Sequence, residues 1–500
     1  MSKKTDVKVE AAQEKKVSKF DRFFKISERG SNVKTEIIAG LTTFFAMAYI
    51  VVTNPNQIAG DSFDKLSGDL KIIWYSVYVA SILAAVVGTL LYAFYAKMPF
   101  AQACGMGLNS FFFVSFILPE LLKDDGTTDV IKGYKEGLSV ILLSGLLFMI
   151  LSFTGLRTMI AKSLPDNLKK AIPAGIGLFI AFLGFQNVGI IQKNQYTLVQ
   201  FFDFHGAWKN AATPFEGWKA IAPVLIAILG LIIMGVLSKF KVKGSVIITI
   251  LGSTVLYYIA TWTLPNFSFT SIGSSFYHFG KEGLFGAFEG FKTLFTTGGQ
   301  FTWGTLFSVI ALTITFCLVD MFDTMGTLYG AASQANMLDE NGDPINMKQS
   351  MNADSVATLS GSLLGTSTCT TFVESSAGVG VGGRTGFASV ITSVCFIACL
   401  FLTPLATIIP ACATAPALIY IGVLMLKGFA KVDMEDITSA IPAFLALVMM
   451  PLTYSISNGI AIGAISYVLL RLFTGKYQKK DIVITVVAVL FALRFALVTM

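Results

Sequence analysis

Runs of about 20 consecutive apolar residues recur along the whole 500-residue chain, each long enough to cross a hydrocarbon layer of ~30 Å as a helix. Such runs leave few options, because backbone polar groups inside a bilayer find no water and must pair within helices or a closed barrel. Composition agrees, with 54% hydrophobic and 13% charged residues, where soluble proteins carry about 25% charged. The chain reads as an all-α polytopic membrane protein with lipid around it. Its net charge of +7 sits in loops and the N-terminal tail, so nucleic acid is not an expected partner.

Apolar segments fall near 36–54, 73–96, 101–118, 138–155, 172–190, 219–237 and 244–262, and again near 305–330, 351–366, 368–383, 386–409, 414–430, 439–454 and 457–473. With the N-terminus inside, the short inner loops collect Lys97, Arg157, Lys169, Lys239, Lys348, Arg384, Lys427 and Arg471, as the positive-inside rule requires. Seven segments per half is an odd number, so a second half that repeats the first must be inverted. Residues 1–27 form a charge-rich tail without the apolar core of a signal peptide, expected to be disordered and cytoplasmic. A fifteenth stretch, 481–498, is interrupted by Arg494 and is expected to be an extra helix, spanning or interfacial. The six cysteines lack zinc-site or CxxC spacing and suit packing.

Thr366–Gly386, TSTCTTFVESSAGVGVGGRTG, breaks the pattern. A β-branched stretch leads into Glu374 and then a glycine-rich tail, which an ordinary membrane helix would not tolerate. Ionisable groups at that depth are costly, and non-helical backbone there must be buried or line a cavity. The third segment, ACGMGLNSFF from Ala103, has a similar break. Setting Cys104 against Cys369 places Asn109 against Glu374 and Ser110 against Ser375. Paired interrupted segments at matching positions point to a transporter site.

Intramembrane acids are few. Asp320 and Asp323 lie three apart in TFCLVDMFDTMGTLYG, on neighbouring positions of one helical face that Thr327 extends. Asp354 is expected at the inner boundary of its segment. No basic residue occupies the middle of these segments, so carboxylates are the natural proton carriers. The two histidines, His205 and His278, fall in outer loops. A neutral, flat ligand rich in N–H donors suits a carboxylate, Asn109 can donate and accept, and Phe372 can stack on a ring or simply pack. The run GVGVGGRTG from Gly378 lacks the lysine and hydroxyl of a nucleotide loop. No metal constellation, cofactor motif or nucleophile–base pair is visible, so the chain is not expected to be an enzyme.

The opening ERGSNVKTEIIAGLTTFFAMAYIVVTNP, the third-segment ACGMGLNSFFF, the eighth-segment DMFDTMGTL, the tenth-segment TSTCTTFVESSAGVGVGGRTG and the late PLTYSISNGIAIGAISYVLL together cover about 27–475. In this order they resemble the nucleobase:cation symporter-2 superfamily, in its AzgA-like purine permease branch. The resemblance implies fourteen segments in two inverted seven-segment repeats, with short strands in the third and tenth. It also implies a core domain from 28–155 and 304–410 and a gate domain from 156–303 and 411–475, leaving 476–500 as the extra helix. It implies substrate contacts at Asp320, Glu374 and Asn109, exposed backbone near Gly107 and Phe372, and an essential second acid at Asp323. Glu374, Asp320 and Asp323 become the candidates for proton coupling. The implied activity is uptake of hypoxanthine, guanine or adenine with protons across the cytoplasmic membrane, and a homodimer is a further expectation. The rival within this architecture is an anion transporter of sulfate or bicarbonate type. Several site acids without a compensating cation argue against it.

Overall fold

The computed structural model describes residues 18–497 except 124–128, 155–164, 195–196, 241, 243, 298–299, 335–336, 341–343 and 373. Most of the N-terminal tail and the side chain of Arg494 therefore lie outside the described residues. Each apolar stretch coincides with a helix or with a strand followed by a short helix. In the first half these are α1 (Val33–Met47), α2 (Ile50–Ala59), α3 (Gly68–Leu91), β1 (Gln102–Cys104), α4 (Met106–Phe112), α5 (Val130–Thr154), α6 (Asp166–Asn187), α7 (Pro214–Lys239) and α8 (Ser245–Thr261). The second half supplies α9 (Trp303–Gln334), α10 (Met347–Leu364), β2 (Cys369–Thr371), α11 (Ser375–Gly380) and α12 (Gly386–Cys399). It ends with α13 (Ala411–Leu426), α14 (Ile437–Leu452), α15 (Ile456–Phe473) and α16 (Ile482–Leu497). Among the described residues six helical stretches are long and apolar enough to cross a membrane, and shorter apolar helices accompany them.

The helices pack in two groups. α3 and α5 pack on α10, and α12 packs on α1 and α3. α6 packs on α13 and α14, α14 on α15, and α7 on α8 and α13. α16, the extra stretch, lies against α15 and α9. The connection 263–303 is more than a loop, since it contains helices Thr270–His278 and Gly286–Gly290 joined through a π-turn at Phe279–Gly283. This connection rests on α3 and α5. Lys135 of α5 clamps it, with Nζ 2.7 Å from Glu282 and 2.7 Å from Glu289. Ser139 donates to the Ala287 carbonyl at 2.6 Å, and Phe285 N donates to Leu363 O at 2.8 Å. A Cβ on Gly290 would stand 2.1 Å from the Lys135 carbonyl, so only glycine permits this approach.

At the centre of the first group β1 and β2 pair antiparallel, with Gln102 opposite Thr371, Ala103 opposite Thr370 and Cys104 opposite Cys369. Hydrogen bonds from Gly105 N to Thr368 O (3.0 Å) and from Phe372 N to Ala101 O (3.0 Å) extend the ladder at both ends. A two-stranded sheet in the membrane leaves two outer edges to satisfy. One threonine serves each. Thr89 Oγ1 of α3 accepts from Gln102 N at 3.0 Å and donates to its carbonyl at 3.1 Å. Thr358 Oγ1 of α10 accepts from Cys369 N at 3.2 Å.

Candidate functional site at the strand crossing

The crossing brings two broken segments head to head, and each places a polar residue at the entry or in the first turns of its short helix. Glu374 immediately precedes α11 and is half-buried. Tyr49, at the bend between α1 and α2, donates its phenol to Glu374 Oε1 at 2.6 Å. Ser375 accepts from Ala101 N at 3.0 Å, tying the start of α11 to the opposite strand. Phe372 sits in the turn between β2 and α11, buried within the apolar core.

Asn109 lies one turn into α4 and is fully buried. Its Nδ2 donates to Gln57 Oε1 of α2 at 3.2 Å, and its Oδ1 accepts a short hydrogen bond from Ser367. The strand register pairs the two cysteines that the sequence alignment had matched, but the helix starts differ. One residue separates β1 from α4, whereas three separate β2 from α11, so Glu374 stands at a helix entry and Asn109 inside a helix. Gly107 is the second residue of α4, and its surroundings lie outside the described residues.

The two aspartates of α9, read as sharing one face, divide their tasks. Asp320 is fully buried and its Oδ2 accepts from Thr358 at 2.7 Å, the hydroxyl that also serves the β2 edge. One turn on, Thr324 donates to Asp354 Oδ2 at 2.6 Å, so the 320/324 side of α9 is knit to α10. Asp323 faces the crossing instead. Its Oδ2 lies 3.8 Å from where a Cβ on Gly105 would stand, with Thr368 Oγ1 at 3.7 Å from the same point. The same Cβ would stand 2.9 Å from the Thr370 methyl, so glycine at 105 admits the close approach of the two strands.

Asp354 is not a boundary residue. It is fully buried, accepting from Gln102 Nε2 at 2.8 Å and from Thr324 at 2.6 Å. A buried carboxylate is tolerable when both oxygens are hydrogen-bonded, and this one links β1, α9 and α10. Tyr49 and Gln57 also escaped the sequence reading. The signal was present as a polar run, Asn54-Pro-Asn-Gln57, in an otherwise apolar helix, with Tyr49 eight residues before Gln57 and hence on the same face. Chemically, the crossing offers two carboxylates, Glu374 and Asp323, and an amide oriented by Gln57 and Ser367. Such a set is chemically suited to a neutral polar ring and to holding or releasing a proton.

A family model described as "Permease family" matches residues 34–462. The chain is 37% identical over 472 residues to the guanine/hypoxanthine permease PbuO of Bacillus subtilis, covering 94% of this chain and 98% of that one. It is 33% identical over 482 residues to the adenine permease AdeP of Escherichia coli K12, covering 96% of each. Among solved structures, the transmembrane domain of the cyanobacterial bicarbonate transporter BicA aligns with a TM-score of 0.58 at 14% identity, over 85% of this chain and 97% of that one. At that identity the likeness speaks for the fold alone, the transporter fold of two inverted seven-segment repeats. Matched by the family model along most of its length, and by relatives above 30% identity along nearly all of it, the protein is a membrane transporter of the nucleobase:cation symporter-2 permease family.

Proposed function

We propose that this protein carries purine nucleobases (hypoxanthine, guanine or adenine) into the cell together with protons, across the plasma membrane and with its N-terminus inside. The observation that carries this reading is the crossing of two broken segments, with Glu374 at the entry of α11, Asn109 one turn into α4 and Asp323 of α9 reaching Gly105 just before α4. Paired N–H groups of a purine match a carboxylate, and a ring carbonyl or nitrogen matches an amide that can donate or accept. A proton on either carboxylate lowers the negative charge of the site, which couples proton and substrate there. The names of the relatives, guanine/hypoxanthine permease and adenine permease, support a purine. Two acids at the site oppose an anionic substrate.

Asp320 supports the site by bracing α9 on α10, while Asp323 and Glu374 face the ligand; Phe372 and the backbone at Gly107 complete the wall. The division into a core (28–155 and 304–410) and a gate (156–303 and 411–475) follows the two packing groups, with one adjustment. The clamp of Thr270–Gly290 on α3 and α5 supports assigning that stretch to the core instead of the gate. Movement of core against gate then exposes the crossing to each side in turn. The test is uptake of labelled hypoxanthine in cells lacking their own purine transporters, with purines and sulfate as competitors and with a protonophore. Purine competition and protonophore sensitivity are expected. Competition by sulfate, or uptake indifferent to the protonophore, refutes the corresponding half of the proposal.

A further inference from the structure

Tyr49, Thr53 and Gln57 occupy positions i, i+4 and i+8 of one helical span, and the Thr53 N to Tyr49 O bond of 3.0 Å shows the turn is helical through the bend. All three are buried. Each reaches a different part of the strand crossing. Tyr49 donates to Glu374 at 2.6 Å, Thr53 Oγ1 donates back to the Tyr49 carbonyl at 3.2 Å and lies 3.9 Å from Met106 Sδ, and Gln57 accepts from Asn109 at 3.2 Å. One stripe of the first segment therefore touches the polar residue of both halves of the site. Its two ends are about 12 Å apart along the helix axis, at ~1.5 Å per residue.

The chemistry of the two ends differs in a useful way. A phenol has one proton, and Tyr49 donates it in a hydrogen bond to Glu374 Oε1, which restricts where that carboxylate points. Being neutral, it adds no charge to the two site carboxylates. At the other end Asn109 Oδ1 is taken by Ser367 and its Nδ2 by Gln57, so the amide has one orientation.

We infer that this stripe is the positioning wall of the site: Tyr49 orients Glu374 and Gln57 orients Asn109. The inference rests on the proposed substrate site. Neither residue carries the proton or forms a bond with it in transit; both act by holding ligand-binding groups in place.

Double-mutant cycles on guanine binding to the purified, full-length protein test it. Tyr49→Phe and Gln57→Leu are each expected to weaken binding about tenfold, the scale of losing one hydrogen bond to a charged or buried group. In the Glu374→Gln background Tyr49→Phe should change binding less than about threefold, and Gln57→Leu should do the same in the Asn109→Ala background. The crossed pair, Tyr49→Phe with Asn109→Ala, should multiply within about twofold, because the two sites are far apart. Equal losses from Tyr49→Phe with and without Glu374, or coupling in the crossed pair as strong as in the direct ones, overturns the inference. Should Glu374→Gln abolish measurable binding, the split of uptake kinetics decides. Tyr49→Phe is expected to raise KM about tenfold with the maximal rate within about twofold, and a fall in maximal rate at unchanged KM overturns it. A wild-type protein that binds no guanine, hypoxanthine or adenine refutes the substrate reading and this inference with it. A binding wild type with additive cycles refutes this inference alone.

Discussion

Glu36 gives the sharpest test of how the first repeat is fastened to the second. It lies in the first turn of α1, fully buried. Its Oε1 accepts from Arg384 N at 2.8 Å, and its Oε2 accepts from Thr385 N at 3.2 Å and Thr385 Oγ1 at 2.8 Å. Those donors form the turn that starts α12, so one carboxylate caps the entry of a helix from the other half of the chain. Glu36→Ala strands three donors in a buried place, each worth about 1–3 kcal/mol. Partial entry of water at the inner edge and the shared geometry of the three reduce the sum to about 3–6 kcal/mol. Glu36→Gln keeps one acceptor oxygen and should lose about half of that. Thermal unfolding of the detergent-purified protein should rank wild type above Glu36→Gln and Glu36→Gln above Glu36→Ala, with the alanine variant lower by about 5 °C or more. Glu28→Ala, which removes only an exposed pair with Lys25, should leave the transition in place. An alanine variant at position 36 that melts with the wild type refutes the idea that this cap joins the repeats.

Three further outcomes follow from the same geometry. Burial opposes ionisation of Glu282, but the hydrogen bond and charge of Lys135, and then those of Lys281, hold its carboxyl below the ordinary range. Its contribution to stability is therefore present above pH ~4.3 and is lost as pH falls through the lower folded value. Wild type should lose the difference over Glu282→Gln in thermal scans run from neutral to acid pH, and an unchanging difference contradicts the clamp. Gly386→Ala places a Cβ 2.1 Å from the Ala93 carbonyl and should cost about 1–3 kcal/mol by overpacking, seen as a lower melting temperature; an unaltered one refutes the close approach. Asp436 caps α14 through Thr438 and Ser439, and its carboxyl is held down at about 2 by the Thr438 hydrogen bond first, against a smaller burial cost, and then by Ser439 and Lys476. Asp436→Ala should cost about 1 kcal/mol at neutral pH, with the difference vanishing only below pH ~4.

Much of this was legible in the residues. The order of apolar segments gave the helices, the breaks at Ala103 and Thr368 marked non-helical backbone, and the family resemblance implied that both are strands. The alignment of Cys104 with Cys369 met the same pair in the ladder, because two inverted strands that cross at their repeat axis bring equivalent residues together. What sequence spacing did not resolve was direction. Asp320 and Asp323 are neighbours on a helix, yet only the packing of α9 shows that the first is spent on Thr358 while the second faces Gly105. Asp354 looked like an end residue because hydropathy is blind to a carboxylate whose two oxygens are both bonded inside the protein. The connection at 263–303 looked like a loop because its helices are short and polar, and are held by Lys135 and close glycine contacts more than by an apolar face.

The most direct measurement of the central claim is accumulation of labelled guanine or hypoxanthine by proteoliposomes of the purified protein under an imposed inward proton gradient, for wild type, Glu374→Gln and Asp323→Asn. The account predicts gradient-driven accumulation of unchanged purine by wild type that collapses with a protonophore, and loss of gradient-driven accumulation in both variants. Wild-type vesicles that accumulate no purine, or a Glu374→Gln variant that still concentrates purine in response to the proton gradient, would contradict it.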